Sequence, residues 1–203
     1  MSVRMEVKVS GSAAGLARFR RGMGDTAGLK EVHARIARAA KDFTAAYVAA
    51  DDSHATAERL GARPTGHMAK ASRRIEGEGE VYRAVLKIPR KTRLRAAFGG
   101  FQIRPLAPRK WLAKSCHRLT YGVRPALCPY PLDFKMIAGR FPALVFADTV
   151  SPADLIGTAA YWLMRETSVK EDRSLLPWED LPEVSARVAG EYISELTKGD
   201  PMA

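Results

Sequence analysis

The chain has 203 residues, which is enough for one domain or for two small ones, with a substantial core that needs no disulfide or metal to stabilise it. Its apolar fraction of 46% and charged fraction of 27% are those of a globular protein and exclude a disordered chain. The net charge of +11 indicates a partner that is negatively charged or that offers acidic patches.

Targeting signals and cysteines narrow the class of protein further. No apolar run approaches the roughly 18 residues of a membrane-spanning helix. The first ten residues alternate charged and apolar types, so we predict no secretory signal peptide. Cys116 and Cys128 do not make a disulfide framework. We therefore expect the protein to be made in the cytoplasm, with both thiols reduced.

The positive charge is concentrated in one central segment. Residues 59–118 hold sixteen Lys and Arg against three acids, whereas the rest of the chain is slightly acidic, above all over residues 166–200. A basic segment beside an acidic end can bind other copies of the chain head to tail. It can also bind a polyanion, or it can be an ordinary solvated surface. The charge pattern leaves these three interpretations open.

The N-terminal part is predicted to form one strand and two helices. Residues 5–9 alternate between apolar and polar types, which indicates a short half-buried strand. Ser12 can cap a short helix that ends near residue 20. Apolar residues recur at three- and four-residue steps over residues 29–47, which predicts an amphipathic helix of about 25 residues. Asp25 or Thr26 is the predicted N-cap of that helix.

The middle of the chain is predicted to be richer in strands. Residues 54–66 read as a loop, residues 67–74 as a second short helix, and residues 76–79 as a turn. Residues that favour β-structure, bounded by Gly and Pro, predict short strands at 81–88, 101–104, 111–115 and 143–147. The stretch from 119 to 142 is rich in proline and is predicted to be a long extended loop.

The C-terminal part completes an α+β pattern. Residues 158–169 are apolar on both faces, which predicts a long strand at the centre of a sheet. An apolar stripe predicts a last helix over residues 179–197, with Pro182 in its first turn. The order of elements predicts a single α+β domain over residues 1–203. Its β-sheet is antiparallel or mixed, with the long N-terminal and C-terminal helices packed on it.

Catalytic and metal-binding patterns find little support in the sequence. The spacing of Cys116, His117 and Cys128 fits no usual zinc site, and a fourth ligand would have to come from elsewhere. Gly77 and Gly79 lie among glutamates, which would repel a phosphate. No histidine has an acidic partner at a spacing that defines an acid–base pair. We therefore predict no enzyme activity, no catalytic residue, no metal and no cofactor.

Nucleic-acid binding is a stronger candidate. Arginines and lysines cluster after the strand predicted at 81–88, and aromatic residues are interleaved with the basic residues that follow. Basic side chains contact phosphates, and exposed aromatic rings stack on unpaired bases. Such binding would be independent of sequence. The same aromatic residues would equally fit the core of a sheet, so the pattern leaves both interpretations open.

Three segments carry a resemblance to a known family. The first is RPTGHMAKA over residues 63–71, and the second is FGGFQIRP from Phe98 followed by KWLA from Lys110. The third is YWLMR from Tyr161, followed by DRSLLP from Asp172 and a closing helix. Together, over about residues 55–197, they resemble the virion-morphogenesis proteins of tailed phages and prophages of the Mu-like group. The chain departs from the family pattern at residues 114–116 and over residues 119–142.

The resemblance implies a structural role at the neck or tail of a virion. Proteins of this group are similar to tail-completion or head–tail joining proteins, which have an α+β fold and assemble as rings. The family pattern holds no catalytic residue. We therefore predict a structural virion protein that completes the tail or joins the tail to the head, as a ring that is hexameric by analogy. The alternative is a sequence-independent nucleic-acid-binding protein.

These predictions name partners, a location and contact residues. The expected partners are further copies of the chain, neighbouring neck or tail proteins and, without sequence specificity, the packaged DNA; no membrane is expected. The protein is expected in the neck or tail of the virion. Contacts to a polyanion or to an adjacent ring are predicted for Arg90, Lys91, Arg93, Arg95, Arg109 and Lys110. Contacts to a subunit or partner are predicted for Tyr121, Tyr130 and Phe134.

Overall fold

The computed structural model describes residues 17, 21, 24–50, 55–90, 93–147 and 155–198. The chain divides into two compact units. The helix unit comprises Met1–Ala50, Met68–Arg95 and Arg173–Ala203, and the sheet unit comprises Asp51–His67 and Ala96–Asp172. The strand predicted at 5–9 and the bounds of the helix predicted at 12–20 lie outside the described residues. That residues 1–203 form a single domain stays a prediction.

The described part of the chain is an α+β fold, as predicted. Its α-helices are α1 (Thr26–Ala50), α2 (Ala55–Arg59), α3 (His67–Ser72) and α4 (Leu181–Lys198). Its strands are β1 (Glu76–Gly79), β2 (Ala84–Lys87), β3 (Phe101–Ile103), β4 (Leu112–Ser115), β5 (Leu132–Ile137), β6 (Phe141–Phe146), β7 (Ala159–Met164) and β8 (Thr167–Val169). All strand pairs in the described ranges are antiparallel. None of the described helices is long and apolar enough to cross a membrane.

Helices α1 and α4 form the core of the helix unit. Helix α1 has the predicted length of 25 residues, and the Asp25 carboxylate caps it by accepting a hydrogen bond from the Ala27 N–H at 3.2 Å. The apolar stripes of α1 and α4 meet in a buried cluster of Val32, Ile36, Ala189 and Tyr192. Beside it, the Arg35 guanidinium pairs with Glu31 at 2.8 Å and with Glu195 at 2.6 Å.

The hairpin of β1 and β2 packs on helix α1 and corrects one prediction. Residues 76–79 were predicted to form a turn, but they pair with Ala84–Lys87 as a strand. A Cβ on Gly77 would lie 2.7 Å from the Ala37 carbonyl carbon of α1, and a Cβ on Gly79 would lie 2.5 Å from the His33 carbonyl carbon. The two glycines therefore let the strand backbone approach the helix closely. Strand β2 is also shorter than the predicted 81–88.

A four-stranded antiparallel sheet forms the sheet unit, with strand order β4-β7-β6-β5. Strand β7 lies between β4 and β6, so the predicted central position is confirmed. The predicted single strand over 158–169 is wrong in its extent, because it divides into β7 and β8. Strand β8 leaves the large sheet and pairs with β3 instead. A segment that is apolar on both faces is predicted to be extended and buried, but this pattern does not show where the pairing partner changes.

The predicted loop over residues 119–142 is also corrected in part. Short 3-10 turns at Arg118–Thr120 and Pro125–Leu127 agree with an irregular connection. Residues Leu132–Ile137, however, form strand β5, which pairs along its whole length with β6. The two strands are joined by a tight turn in which Ala138 and Gly139 have positive φ. Pro131 precedes β5, and Pro142 lies near the start of β6, where it is the register partner of Met136. No proline therefore interrupts β5 itself.

Candidate functional site

The residues predicted to contact a polyanion fall in both units. In the helix unit, Arg90 lies in the turn after β2, and Arg93 and Arg95 lie on the 3-10 helix Arg93–Phe98. All three are exposed, and the Leu94 side chain between Arg93 and Arg95 is buried. In the sheet unit, the exposed Arg109 and Lys110 lie in the connection before β4. Lys91 lies outside the described residues.

The three predicted partner contacts lie in the sheet unit and differ in burial. The Tyr130 ring packs edge-on against Phe146, with centroids 5.7 Å apart, next to the buried cluster of the sheet unit. Tyr130 therefore has a packing role within its own chain, and its partner contact stays a prediction. Tyr121 is half-buried. Phe134 is 56% exposed on β5, so its ring is available to another protein.

One face of the sheet carries a cleft with a volume of about 700 Å³, which we call the arginine cleft. The register pairs Ala113 with Leu163 and Leu144 with Tyr161, so Ala113, Leu144 and Leu163 share this face. The cleft is lined by these three apolar residues, by Trp111 and by the exposed residues Arg104, Arg109 and Arg124. Its volume is typical of ligand clefts.

The electrostatics of the arginine cleft favour an anion. The residues that line it include three arginines and no acid. The Arg104 guanidinium donates to Glu166 at 3.2 Å and to the Gln102 side chain at 3.2 Å. Arg109 and Arg124 form no ion pair with any acid in the described part of the chain. The cleft therefore combines an apolar floor with at least two uncompensated positive charges, a combination that suits an acidic ligand with an apolar part.

The opposite face of the sheet carries a more apolar cleft of about 560 Å³. Its aromatic members are Phe141 and Trp162, whose rings meet edge-on with centroids 6.4 Å apart. Arg59 and Lys114 are its charged members. Phe141 is exposed. This face can cover apolar surface of a partner.

Two of the residues considered as metal ligands, Cys116 and His117, form hydrogen bonds within the sheet unit. The Cys116 thiol donates to the Ala159 carbonyl at 3.2 Å, and burial raises the pKa of that thiol. His117 Nδ1 accepts the Leu119 N–H at 3.3 Å, and its ring packs edge-on against Phe146. Within the described ranges, no group of three or more His, Cys, Asp or Glu side chains lies close enough together to hold a metal ion.

Arg124 was missed by the sequence analysis. It lies beyond the basic segment 59–118, in the part of the chain that was predicted to be a loop. The sheet brings the connection before β4 and the connection after the Arg118–Thr120 turn to the same cleft. A count of charge along the chain cannot find such a cluster, because it depends on which connections lie next to each other.

Comparison with known proteins adds no further assignment. No family model, no curated protein and no solved structure matches this chain.

Proposed function

We propose that the chain is a structural, non-enzymatic virion protein of a tailed phage. In this proposal it completes the tail or joins the tail to the head, as an oligomeric ring around the DNA channel. The observation that carries the proposal is the apolar side of the edge strand β5, which a lone subunit leaves in water. Such a strand is a natural place for another protein chain to bind.

Strand β5 pairs with β6 and with no other strand of the described ranges. Phe134 is 56% exposed and Met136 is 50% exposed, and their register partners are Leu144 and Pro142 on the same face. Completing the burial of such half-exposed side chains gains about 1 kcal/mol for each, on the order of half the value for a fully buried apolar side chain. A repeated contact of this kind would stabilise an assembly of many copies.

The charges of the chain agree with a position near DNA. Arg93 and Arg95 are exposed in the helix unit, and Arg109 and Lys110 are exposed in the sheet unit. Cationic side chains beside a DNA channel would contact phosphates of any sequence, because phosphates carry no sequence information. The same side chains could face an adjacent ring with acidic patches.

The test is the presence of the chain in purified particles. Quantitative mass spectrometry is expected to find it at a few copies per particle, and its absence from intact particles would refute the proposal. Phe134→Asp is expected to reduce incorporation, because a carboxylate cannot be buried in an apolar contact without a partner. Tyr82→Asp is the matched control, since Tyr82 is 83% exposed in the β1–β2 connection and should be incorporated normally.

A second candidate is a sequence-independent nucleic-acid-binding protein. The observation that favours it is the exposed group of Arg90, Arg93 and Arg95. This candidate predicts tight DNA binding by the purified chain. The logarithm of the binding constant should fall linearly with the logarithm of the salt concentration, with a slope of about −0.9 for each phosphate contacted. Charge reversal of Arg93 and Arg95 would then abolish tight DNA binding by the purified chain, whereas a structural virion protein would bind DNA only weakly before the change as well as after it.

A further inference from the structure

We propose that the arginine cleft of one copy binds the acidic turn of a second copy. The acidic turn is residues 178–183, which comprise the turn before α4 and the first three residues of that helix. The contact rests on the ring assembly proposed above and specifies which surfaces would form it. The cleft and the turn are different surfaces of the same chain. A contact of one with the other is therefore head to tail, and it closes a ring when the rotation between copies allows it.

The cleft selects its occupant by charge and by its apolar floor. Arg109 and Arg124 have no acidic partner in the described part of the chain, and Arg104 forms an ion pair with Glu166. The half-buried Leu144 and Leu163 lie between these connections and offer an apolar surface. An occupant with carboxylates alone would leave that surface uncovered. A segment that carries both carboxylates and apolar side chains fits both parts.

The acidic turn has this composition. Glu179, Asp180 and Glu183 are exposed, and none of them forms an ion pair within the described ranges. Between them, Leu181 and Pro182 are half-buried and keep part of their apolar surface in water. The whole stretch from residue 166 to residue 200 has nine acids against four bases, so it is also acidic over a longer distance. Three carboxylates of the turn would thus meet Arg109 and Arg124, which have no acidic partner in the described ranges, and Arg104, which already pairs with Glu166.

The cleft suits a protein segment better than a nucleic acid. A duplex backbone presents phosphates to any cationic surface and gains nothing from Leu144 and Leu163. An unpaired base would need an open aromatic face, but the Arg165 guanidinium already lies over the Trp111 ring at 5.6 Å. Arginine and tryptophan are instead enriched among the anchors of protein interfaces, and the cleft holds three arginines and Trp111.

The experiment compares the association state of the full chain and four variants by sedimentation velocity. The cleft variant is Arg109→Glu with Arg124→Glu, and the turn variant is Glu179→Lys with Glu183→Lys. Arg118→Glu with Arg140→Glu is the matched control, because both arginines are exposed in the sheet unit and neither lines the cleft. The fourth variant carries the cleft and turn changes together. Far-UV circular dichroism checks that each variant is folded.

The charges dictate the pattern of results. Wild type and the control should assemble, and the cleft and turn variants should each associate at least about 100-fold more weakly. An equal mixture of the cleft and turn variants should assemble again, because every contact in the mixture joins opposite charges. The fourth variant should assemble for the same reason. Restoration by mixing is the result that a merely structural role of these residues would not give.

Several outcomes would overturn the inference. They are a monomeric wild type, a cleft variant that assembles like the control, and a mixture that stays dissociated. If the cleft variant assembles but loses affinity for a duplex DNA probe, the cleft is a nucleic-acid site instead. These outcomes are distinct from failure of the proposed function. A cleft variant that still assembles and enters particles refutes this contact alone, whereas absence of wild type from particles refutes the virion role.

Discussion

Replacing Gly79 by alanine is expected to destabilise the helix unit strongly. Gly79 lies on β1, where the strand crosses helix α1. A Cβ there would be 2.5 Å from the His33 carbonyl carbon and closer still to the Ala34 backbone. These are main-chain atoms of a helix, so they cannot move aside as the end of a flexible side chain could. The strand and the helix would have to separate.

The size of the effect follows from this geometry. Overpacking of a well-packed core costs about 1–3 kcal/mol, and we expect the upper end because backbone must shift against backbone. In a chain of this length, about 3 kcal/mol corresponds to a fall of roughly 6–12 °C in Tm. Moving α1 away from the hairpin would also loosen the α1–α4 contact around Ile36 and Tyr192.

Thermal and urea denaturation followed by circular dichroism measure this effect. Gly190→Ala is the matched control: Gly190 lies in α4, and a Cβ there would have no heavy atom within 4 Å. That change should stabilise the chain by about 0.5–1 kcal/mol, because alanine favours a helix over glycine. The reasoning is refuted if Gly79→Ala unfolds within about 1 kcal/mol of wild type while the control behaves as expected.

Two further predictions concern the sheet unit. Tyr161 is 1% exposed, its hydroxyl donates to the Val123 carbonyl at 2.9 Å, and burial raises its pKa to about 12. Tyr161→Phe should therefore cost about 1 kcal/mol below pH 10 in urea denaturation. Because the folded state disfavours the phenolate, the excess in the free energy of unfolding of wild type over Tyr161→Phe should shrink as the pH rises from about 10 towards 12. An unchanged difference in that free energy over the same pH range would contradict the assignment. Thr120 is fully buried, and its hydroxyl lies 2.9 Å from the Ala160 carbonyl and 2.9 Å from Ser115 Oγ. Thr120→Val should cost about 1–3 kcal/mol by removing these hydrogen bonds, whereas Thr120→Ser keeps the hydroxyl and should cost less; equal losses would show that the hydroxyl is not the stabilising group.

The long helices are the part of the fold that local sequence determines. The stripe from Val32 to Val48 repeats every three or four residues, and this spacing alone places one face of α1 against a core. The cap could be narrowed in advance to Asp25 or Thr26, because a cap depends on neighbouring backbone groups only, and the structure shows that it is Asp25. The same holds for α4, whose stripe and first-turn proline are local features.

The hairpin on α1 could not be predicted in this way. Gly77 and Gly79 have low intrinsic β-propensity, so in sequence they read as a turn. Their role exists only because a helix lies close enough to leave no room for a Cβ. Strand β8 is a similar case, since its pairing with β3 depends on a partner more than sixty residues away in sequence.

The sequence by itself determined the α+β class, the two long helices and the excess of basic residues in one segment. Each of these depends on residues that are near one another along the chain. Only the tertiary structure decided which cations share a site. Arg104 and Arg109 lie in the connection between β3 and β4, whereas Arg124 lies in the connection between β4 and β5. The antiparallel register of β4, β7 and β6 brings the two connections together around Leu144 and Leu163. The physical reason is that a charge pattern is one-dimensional, whereas a binding site depends on the distances that strand pairing sets.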